Sequence, residues 1–300
     1  AILCYAPLIE MVSANFEISV EERWGRSTIE LYKVWGGEIA LGLPERSEGM
    51  QYHIQLDAPM LEGAEYAILA GDPGRIEAIA QHLERPKRLG QNREYTSFLG
   101  YVQDRPVLVM SHGIGGPSTA IAVEELAQLG IKTMIRVGTS GGMQQQVRAG
   151  DAVIVQAAIR QDGTSREYLP IEYPAVADFD VTAALKQAAL RLGQPHHVGV
   201  VQCKDSFYGQ HSPQRMPVSY ELLSKWDAWI QGGALASEME TAALFTVASV
   251  LRVRAGAVML CIWNQERDKA GLPHEECHDT QGVIQLAVQA VAELMAQDGQ

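Results

Sequence analysis

A single arginine inside an apolar stretch is the first indication of chemistry in this sequence. Residues 133–137 form a short run with a β-branched bias, preceded by Gly130, and this pattern predicts a buried strand. Arg136 lies within the run. Because a guanidinium remains charged, its burial requires either a carboxylate partner or a bound anion.

The residues that follow Arg136 add hydrogen-bond donors at the predicted end of the strand. Residues 138–142 read Gly-Thr-Ser-Gly-Gly, which predicts a tight turn with accessible amides and two hydroxyl groups. A strand end that combines an arginine, hydroxyls and amides is typical of a phosphate pocket. The alternative is an arginine that extends to solvent beside an ordinary turn, and this stretch alone does not separate the two interpretations.

Two further arginines lie close to glycines or polar turns. Gly71 and Arg75 follow a predicted strand at residues 66–69, and the Asp-Pro pair between them predicts the start of a helix. Arg93 lies in the polar stretch 91–95. Each arginine alone could be a solvated side chain. Together with Arg136 they predict a dianion held by paired charges and amide donors.

Two acids flank a methionine after another predicted strand. Glu238, Met239 and Glu240 follow residues 234–237 and begin a predicted helix. Carboxylates at a helix N-terminus are electrostatically favourable, which is the purely structural interpretation. The two acids could instead bind sugar hydroxyls, with the thioether packed against the sugar ring.

The polar loop predicted at residues 206–217 contains side chains suited to a nucleobase. The amide of Gln210 can donate and accept hydrogen bonds at once, as a pyrimidine edge requires. Phe207 can stack on a base, and Arg215 adds a positive charge. Taken alone, the segment is also an ordinary loop.

Composition and charge exclude several functional classes. A chain of 300 residues with 47% hydrophobic and 20% charged residues fits one large α/β domain, or at most two. The formal net charge of -12 argues against nucleic acid or a membrane surface as the main partner. No apolar run approaches the ~20 residues needed to cross a bilayer. Four scattered cysteines without a CxxC pair predict reduced thiols in a cytoplasmic protein.

Strands and helices alternate after Met50, and this order predicts the fold class. We expect an α/β protein, a single domain at residues 50–300 with a mixed central sheet flanked by helices. Ligands bind at the carboxyl ends of the strands in such sheets, where the residues named above lie. Residues 1–49 show no sustained periodicity. They predict an N-terminal extension that is non-native or poorly ordered, with Met50 as the native start; an extension packed on the surface is the alternative.

Ordered motifs along residues 50–300 connect these single observations. They read Gly-Asp-Pro-Gly-Arg at 71–75, Arg-Glu-Tyr-Thr at 93–96, Gly-Ile-Gly-Gly-Pro-Ser at 113–118, Arg-Val-Gly-Thr at 136–139, Phe-Tyr-Gly-Gln at 207–210 and Glu-Met-Glu at 238–240. Together they resemble the uridine phosphorylases, the pyrimidine-specific branch of the nucleoside phosphorylase family. The resemblance implies that family's fold and the reversible phosphorolysis of uridine to uracil and ribose 1-phosphate. It leaves open whether deoxyuridine and thymidine also react.

The resemblance also implies a role for each matching residue. Phosphate would be held by Gly71, Arg75, Arg93, Arg136 and Thr139. Ribose would contact His53, Thr139, Glu238, Met239 and Glu240. Uracil would contact Phe207, Gln210 and Arg215. The catalytic residues would be Arg136, Gln210, Arg215 and Glu240.

Further implications concern cofactors and assembly. Phosphate is the co-substrate, and no organic cofactor is implied. Arg93 and His53 would act across a subunit interface, in a hexamer built as a trimer of dimers. A monovalent cation such as K+ would lie between two subunits on Glu94, Ile114 and Ser118, since carboxylate, carbonyl and hydroxyl oxygens suit a hard cation. A plain hydrogen-bonded interface is the alternative.

One departure from the family pattern concerns the base-reading arginine. Many relatives place it two residues after the glutamine, whereas four residues separate Gln210 from Arg215 here. We expect a bulge in the loop to bring Arg215 inward. Residues 262–265 hold no aspartate of the kind that protonates a purine, which favours a pyrimidine. Two alternatives remain open, a nucleosidase that uses water and a non-catalytic storage or binding protein on the same fold.

Overall fold

The computed structural model describes the backbone of residues 31–34 and 37–40 and the whole of residues 49–273 and 275–299. The chain forms two compact units, Ala1–Glu45 and Arg46–Gln300. In the first unit, β1 (Leu31–Val34) pairs antiparallel with β2 (Gly37–Ala40). The rest of the predicted extension up to residue 48 lies outside the described residues. Its boundary at Met50 and its non-native origin therefore stay predictions.

The second unit alternates strands and helices, as the sequence predicts. Its strands are β3 (Tyr66–Ala70), β4 (Glu84–Asn92), β5 (Tyr95–Val102), β6 (Arg105–Ser111), β7 (Thr133–Gly142), β8 (Ala152–Gln161), β9 (Ala175–Val176), β10 (His196–Lys204), β11 (Ala236–Glu238) and β12 (Arg254–Asn264). Its α-helices are α1 (Ile76–Ala80), α2 (Gly116–Gln128), α3 (Thr164–Tyr168), α4 (Phe179–Leu192), α5 (Phe207–His211), α6 (Ser219–Gln231), α7 (Thr241–Leu251), α8 (Gln265–Lys269) and α9 (Gln281–Asp298). Short 3-10 turns cover Ala58–Leu61, Pro73–Arg75 and Pro213–Arg215.

These ten strands form one mixed sheet. Nine of them follow the order β11-β10-β8-β12-β7-β3-β6-β5-β4, and β9 pairs with β8. The pairs around β3, β7 and β10 are mostly parallel, whereas β4, β5 and β6 form an antiparallel edge. An antiparallel contact between β11 and β7 closes β7, β12, β8, β10 and β11 into a ring. The predicted mixed central sheet is confirmed.

Helices cover both faces of the sheet. Within β3, Ala67 and Leu69 join one hydrophobic core, which includes residues of α2 and α7. Ile68 and Ala70 join a second core on the opposite face, with residues of α1, α4 and α9. Successive strand side chains point to opposite faces, so a strand that is apolar throughout needs cover on both sides. Among the described residues, no helix combines the length and apolarity that a bilayer crossing requires.

The glycine-rich segment after Arg136 does not form the predicted turn. Strand β7 continues through it to Gly142, paired with β12 on one side and β11 on the other. A Cβ on Gly138 would stand 2.3 Å from Met259 Sδ, and one on Gly142 would stand 2.5 Å from Asn264 Nδ2. Glycine fits these positions because neighbouring side chains approach the strand closely, and not because the chain turns.

The predicted loop at residues 206–217 is also more ordered than expected. Ser206 caps helix α5, since its hydroxyl accepts a hydrogen bond from the Gly209 amide at 2.9 Å. A 3-10 turn follows at Pro213–Arg215, with the proline at its first position. Both features use residues that favour helix starts. Arg215 is therefore held on a turn of its own, one helix away from the end of β10.

Arg160 is a second buried arginine, and its role is structural. Its Nε donates to Ser165 Oγ at 3.0 Å, Nη1 to the carbonyls of Pro170 (2.5 Å) and Tyr173, and Nη2 to those of Ser165 (2.6 Å) and Leu169 (2.7 Å). These contacts use all five N–H donors of the guanidinium. One side chain thus holds residues 163–173 against β8.

We expect Arg160→Met to lower the free energy of unfolding by about 3 kcal/mol, since hydrogen bonds to charged groups are strong and five backbone or hydroxyl partners lose theirs. Urea unfolding at a fixed protein concentration measures the change. Arg148→Met, at an exposed arginine, is the matched control and should change stability by less than about 0.5 kcal/mol. Equal midpoints for the two variants would contradict a structural role for Arg160.

Candidate active site

One cavity of about 720 Å³ lies at the carboxyl ends of the central strands. Eleven of the predicted site residues line it, namely Gly71, Arg75, Glu94, Ile114, Arg136, Thr139, Phe207, Gln210, Glu238, Met239 and Glu240. They come from the ends of six strands and the segments that follow them, which the sheet order brings together. His53, Arg93, Ser118 and Arg215 are not part of this lining.

Arg136 is the buried charge at the centre of the site. Its side chain is only 4% exposed, its Nη2 donates to a carboxylate oxygen of Glu240, and its Nη1 donates to His112 Nε2 at 2.9 Å. Its Nε lies 3.6 Å from Glu238 Oε2, which is an ion-pair distance but too long for a hydrogen bond. The sequence predicts either a carboxylate partner or a bound anion for Arg136, and the structure shows the carboxylate partner. The guanidinium also borders the cavity.

His112 orients Arg136, and sequence reasoning missed it. Because Nε2 accepts from Arg136, Nδ1 carries the ring proton and donates to Thr119 Oγ1 at 3.1 Å. The Thr119 hydroxyl in turn donates to the Gly115 carbonyl at 2.9 Å. Complete burial and the Arg136 charge hold the pKa of His112 well below its usual value, so the ring stays neutral. The sequence does contain a signal for His112, because the residue lies between the apolar strand β6 and a glycine-rich helix start.

The two acids at the end of β11 have different roles. The Glu238 carboxylate accepts hydrogen bonds from the amides of Glu240 (2.9 Å) and Thr241 (3.0 Å), so it caps helix α7. Glu240 accepts instead from the Gly115 amide at 2.8 Å and pairs with Arg136. Burial raises the pKa of Glu240, although the Arg136 charge partly opposes this shift. Both residues line the cavity, but the helix-cap interpretation fits only the Glu238 side chain, because the Glu240 side chain makes no cap hydrogen bond.

Arg75 brings a second guanidinium to the same end of the cavity. Its Nη1 donates to the Val137 carbonyl at 3.4 Å. Burial lowers the pKa of Arg75, and the like charge of Arg136 lowers it further. Because the two positive charges disfavour each other, an anion bound beside them would stabilise both. A Cβ on Gly71 would lie 3.1 Å from the Gly113 carbonyl oxygen, so these two glycines keep the backbone close together at this point.

The opposite end of the cavity carries an aromatic ring, an amide and a lysine. The exposed Phe207 ring packs on His211 with their centroids 4.3 Å apart. Gln210 is buried, and its amide lies 2.8 Å from Ser237 Oγ. Lys204, at the end of β10, donates to the same hydroxyl at 2.7 Å. Burial lowers the pKa of Lys204, with Glu238 and Glu240 opposing the shift.

Sequence analysis also missed Lys204 and Ser237. A signal for Lys204 was available, since it ends a strand that contains the apolar run 198–201 and whose last four residues are buried. Ser237 carries no comparable signal, because a serine before an acidic pair is common at helix starts. Its importance comes from its partners, which lie 27 and 33 residues away along the chain.

Arg215 does not reach the cavity. It is exposed, and its guanidinium lies 5.2 Å from the centroid of the Tyr208 ring. The expected bulge that would bring it inward is absent, because residues 212–215 form the 3-10 turn described above and turn the side chain onto Tyr208. A contact between Arg215 and a base in this cavity would require the turn to rearrange.

His53 and Arg93 lie together at a separate surface. Glu125 holds His53, accepting from its amide at 3.1 Å and contacting its Nδ1 at 2.5 Å. Asn92, which precedes Arg93 in the hairpin between β4 and β5, donates to the His53 carbonyl at 2.7 Å. The Arg93 guanidinium lies 6.0 Å from the centroid of Tyr52, the neighbour of His53. Neither side chain serves the cavity of its own chain.

Of the three residues predicted to hold a cation, Glu94 and Ser118 are in contact. Ser118 Oγ lies 3.0 Å from Glu94 Oε1 and also contacts the His112 carbonyl. Ile114 borders the cavity and is 77% exposed. Gly113 has a positive φ of 74°, and a Cβ there would meet both Ser118 and Glu94 within 3 Å. Glu94 and Ser118 supply oxygen atoms suited to a hard cation. They also hydrogen-bond to each other, which agrees equally well with the alternative of a plain hydrogen-bonded interface.

Comparison with known proteins places this chain in a family. A family model described as the phosphorylase superfamily matches residues 65–297, well over half of the chain. The chain belongs to the phosphorylase superfamily. Among curated proteins, it is 57% identical to a uridine phosphorylase of Treponema pallidum (strain Nichols), over 84% of this chain and 97% of that protein. This match confirms the resemblance that the motifs predict.

Two more distant superfamily relatives carry the same name. A uridine phosphorylase of Haemophilus influenzae is 44% identical over 75% of this chain and 89% of its own length. One from Escherichia coli (strain K12) is 39% identical over 81% of this chain and 98% of its own length. The superfamily match and these near full-length relatives also agree with the nucleoside phosphorylase-like fold.

Proposed function

We propose that this superfamily member catalyses the reversible phosphorolysis of uridine, giving uracil and ribose 1-phosphate. Phosphate is the co-substrate, and no organic cofactor takes part. The observation that carries the proposal is that Arg75 and Arg136 border one cavity with Glu240 and Gln210. An anion site, a carboxylate suited to sugar hydroxyls and an amide suited to a pyrimidine thus share a single space. The activity named for the three relatives, uridine phosphorylase, supports the same substrate.

Phosphate binds at the end of the cavity formed by Arg75 and Arg136. The two guanidinium groups neutralise a dianion, and Gly71 and Thr139 border the same end. The cost of placing Arg75 beside Arg136 is offset when the anion is present. Glu240 and His112 already use two of the donors of Arg136, which fixes the direction of the remaining ones before phosphate arrives.

Ribose lies between the phosphate and base ends. Glu240 accepts hydrogen bonds from the ribose hydroxyls, with Met239 packed against the ring and Glu238 holding the segment as a helix cap. Gln210 reads the edge of the base, and Phe207 covers its face. Thr139 borders the cavity near both phosphate and sugar.

The reaction requires alignment and electrostatic stabilisation, and no covalent nucleophile. A phosphate oxygen attacks the anomeric carbon as the bond from that carbon to the base nitrogen breaks. The electron pair of the broken bond leaves with the base, and the proton of hydrogen phosphate ends on uracil. Positive charge on ribose is stabilised by the bound dianion, and negative charge on the base by donors at the other end of the cavity.

The arginine pair favours phosphate over water as the attacking group. A nucleosidase needs a site for water and gains nothing from two guanidinium groups beside the sugar. A non-catalytic binding protein would not need Arg136 held rigidly by His112 and Glu240. The experiment that tests the proposal is uracil release from uridine with and without phosphate. We expect release only with phosphate and the formation of ribose 1-phosphate; release at an equal rate without phosphate would indicate hydrolysis.

The same assay establishes the substrate range. We expect uridine to react faster than any purine nucleoside, because the 262–265 segment lacks an acid that could protonate a purine. Deoxyuridine and thymidine belong in the panel, since Glu240 would lose one hydroxyl contact with a deoxyribose.

We further propose that His53 and Arg93 complete the site of a neighbouring subunit. In this proposal, Arg93 of the partner subunit contacts phosphate and His53 of the partner subunit contacts the ribose 5′-hydroxyl. Their separation from the cavity of their own chain supports this assignment. So do the exposed apolar side chains of Ile114, at the cavity, and Tyr52, beside His53. The assembly is a dimer that repeats three times in a hexamer.

Mixing two inactive variants tests the shared site. Arg93→Ala and Arg136→Ala each remove a phosphate contact, but a mixed dimer contains one site with both arginines and one with neither. Coexpressed at equal levels, the two chains should recover about a quarter of wild-type activity, as random pairing across a two-fold interface requires. Separately purified variants measured in the same assay are the control. A coexpressed sample no more active than the two variants alone would show that each site uses one chain.

Two smaller assignments stay proposals. A monovalent cation binds Glu94, Ser118 and the Ile114 backbone at the subunit interface, and a K+ dependence of activity or thermal stability would test it. The protein acts in the cytoplasm, in keeping with the free thiols of Cys203, Cys261 and Cys277.

A further inference from the structure

The end of the cavity that receives the base lacks the expected arginine but contains a buried lysine. Among the described residues lining the cavity, Arg75, Arg136 and Lys204 are the side chains with a permanent or near-permanent positive charge. Arg75 and Arg136 stand beside each other at the phosphate end. Arg215 lies outside, on the ring of Tyr208. Lys204 is therefore the cation available to the base.

Hydrogen bonds fix the Lys204 ammonium beside the amide of Gln210. Lys204 Nζ donates to Ser237 Oγ at 2.7 Å, and its next contact is the Glu238 carbonyl at 3.5 Å. Its side chain is only 6% exposed and has no ion-pair partner within 4.0 Å among residues 49–273 and 275–299. An ammonium carries three donors, so at least one N–H remains for a ligand in the cavity.

Ser237 connects Lys204 to two glutamines, and its hydroxyl has one hydrogen to give. Its Oγ lies 2.7 Å from Gln202 Oε1 and 2.8 Å from Gln210 Oε1, so it donates to only one of them. The Gln202 amide is itself held by Gln161 at 2.6 Å. The Gln210 amide is held less tightly, by Ser237 on its oxygen at 2.8 Å and by a long contact of 3.4 Å from its NH2 group to Gln265 Oε1, and it borders the cavity where a base would bind. It carries no charge, which leaves charge stabilisation to Lys204.

We propose that Lys204 is a catalytic residue that binds a carbonyl oxygen of the leaving pyrimidine and stabilises its negative charge, in place of Arg215. The inference rests on the proposed function, because it concerns the leaving group of phosphorolysis. As the bond between ribose and the base nitrogen breaks, its electron pair delocalises onto the base carbonyls, where the ammonium donates a hydrogen bond. Lys204 keeps its proton; the proton gained by uracil derives from hydrogen phosphate. A buried ammonium held before the reaction stabilises this charge without reorganisation.

The test compares leaving groups rather than rates alone. Uridine and 5-fluorouridine differ by one atom, but the 5-fluorouracil anion is a weaker base than the uracil anion. It therefore leaves with less assistance from the protein. We expect Lys204→Met to lower kcat for uridine by about a hundredfold and kcat for 5-fluorouridine by a clearly smaller factor. Lys204→Arg should recover part of the loss, and Lys204→Gln should behave as Lys204→Met. Lys186→Met, at an exposed lysine on α4, is the control and should match the wild type.

The outcomes separate this inference from its alternatives. Equal losses on both nucleosides would assign Lys204 a structural role and overturn the proposal, as would unchanged activity. A leaving-group dependence in Arg215→Met but not in Lys204→Met would return the role to Arg215. Circular dichroism and thermal unfolding identify a variant that does not fold, and Lys204→Gln or Lys204→Arg then decides the question. Absence of phosphate-dependent uracil release in the wild type would contradict the proposed function itself and not the assignment of Lys204.

Discussion

Replacing Arg136 with methionine should lower kcat/KM for phosphate by about a thousandfold, the upper range for the loss of a preorganised charged donor. Arg136 is the guanidinium that joins the phosphate end of the cavity to Glu240, so its removal affects two substrates. Phosphate loses a charge partner, and Glu240 loses the contact that orients it for ribose. Steady-state kinetics with phosphate varied at saturating uridine measures the effect.

The same substitution leaves two carboxylates buried without their counter-charge. Glu238 and Glu240 are nearly inaccessible to solvent, and both approach Arg136. Breaking a buried ion pair by removing one partner costs about 3–5 kcal/mol, so Arg136→Met should also be less stable. Arg136→Lys separates the two effects. It keeps the charge but cannot contact Glu240 and His112 at once, so we expect a folded protein with weak activity.

A matched control is available on the surface. Arg191 pairs with Glu293 at 2.9 Å between helices α4 and α9, and its side chain is 59% exposed. Arg191→Met removes an arginine from an ion pair with glutamate, but outside the cavity, and should retain wild-type kinetics. An Arg136→Lys variant that is folded and fully active would exclude Arg136 from the phosphate site.

Replacing Gln210 with glutamate should lower kcat for uridine by about a hundredfold, the usual loss for one donor aimed at developing charge. The two side chains have nearly the same shape, so packing around the site is preserved. A carboxylate accepts hydrogen bonds but donates none, and it repels the negative charge that develops on the leaving base. It would also pair with Lys204 and reduce the charge available to uracil.

Gln202→Glu is the matched control for this prediction. Gln202 is buried and contacts the same Ser237 hydroxyl, but it does not border the main cavity. The substitution therefore places the same new charge near the network without contact with the base. We expect a clearly smaller loss of kcat than in Gln210→Glu. Equal losses in the two variants would indicate that the charge acts through the network and that Gln210 does not read the base.

Sequence reasoning predicted many of the residues that line the cavity because their signals are local. A charged side chain in an apolar strand, as at Arg136, must have a partner or a ligand. Glycines, a proline and arginines at strand ends likewise carry information within a few residues. Family motifs then connected Gly71, Arg75 and Glu240, and the structure brings these residues to one cavity.

Local signals failed where distant neighbours decide the conformation. The Gly-Thr-Ser-Gly-Gly segment resembles a turn, yet it continues strand β7 because Met259 and Asn264 on β12 need the space of the missing side chains. The family resemblance predicts Arg215 at the base, through a bulge in its loop. The turn at Pro213–Arg215 instead directs it to Tyr208.

The sequence by itself determined the alternation of strands and helices, the burial of Arg136 and the kind of ligands that the strand ends suit. These properties follow from hydrophobic periodicity and from the cost of burying a charge, which are readable within short segments. Only the tertiary structure decided that His112 orients Arg136, that Lys204 stands beside Gln210, and that His53 and Arg93 lie away from their own cavity. Each of these depends on contacts between distant residues: His112 is 24 positions from Arg136, Ser237 is 27 and 33 positions from Gln210 and Lys204, and Glu125 is 72 positions from His53. Sheet order and packing set their proximity.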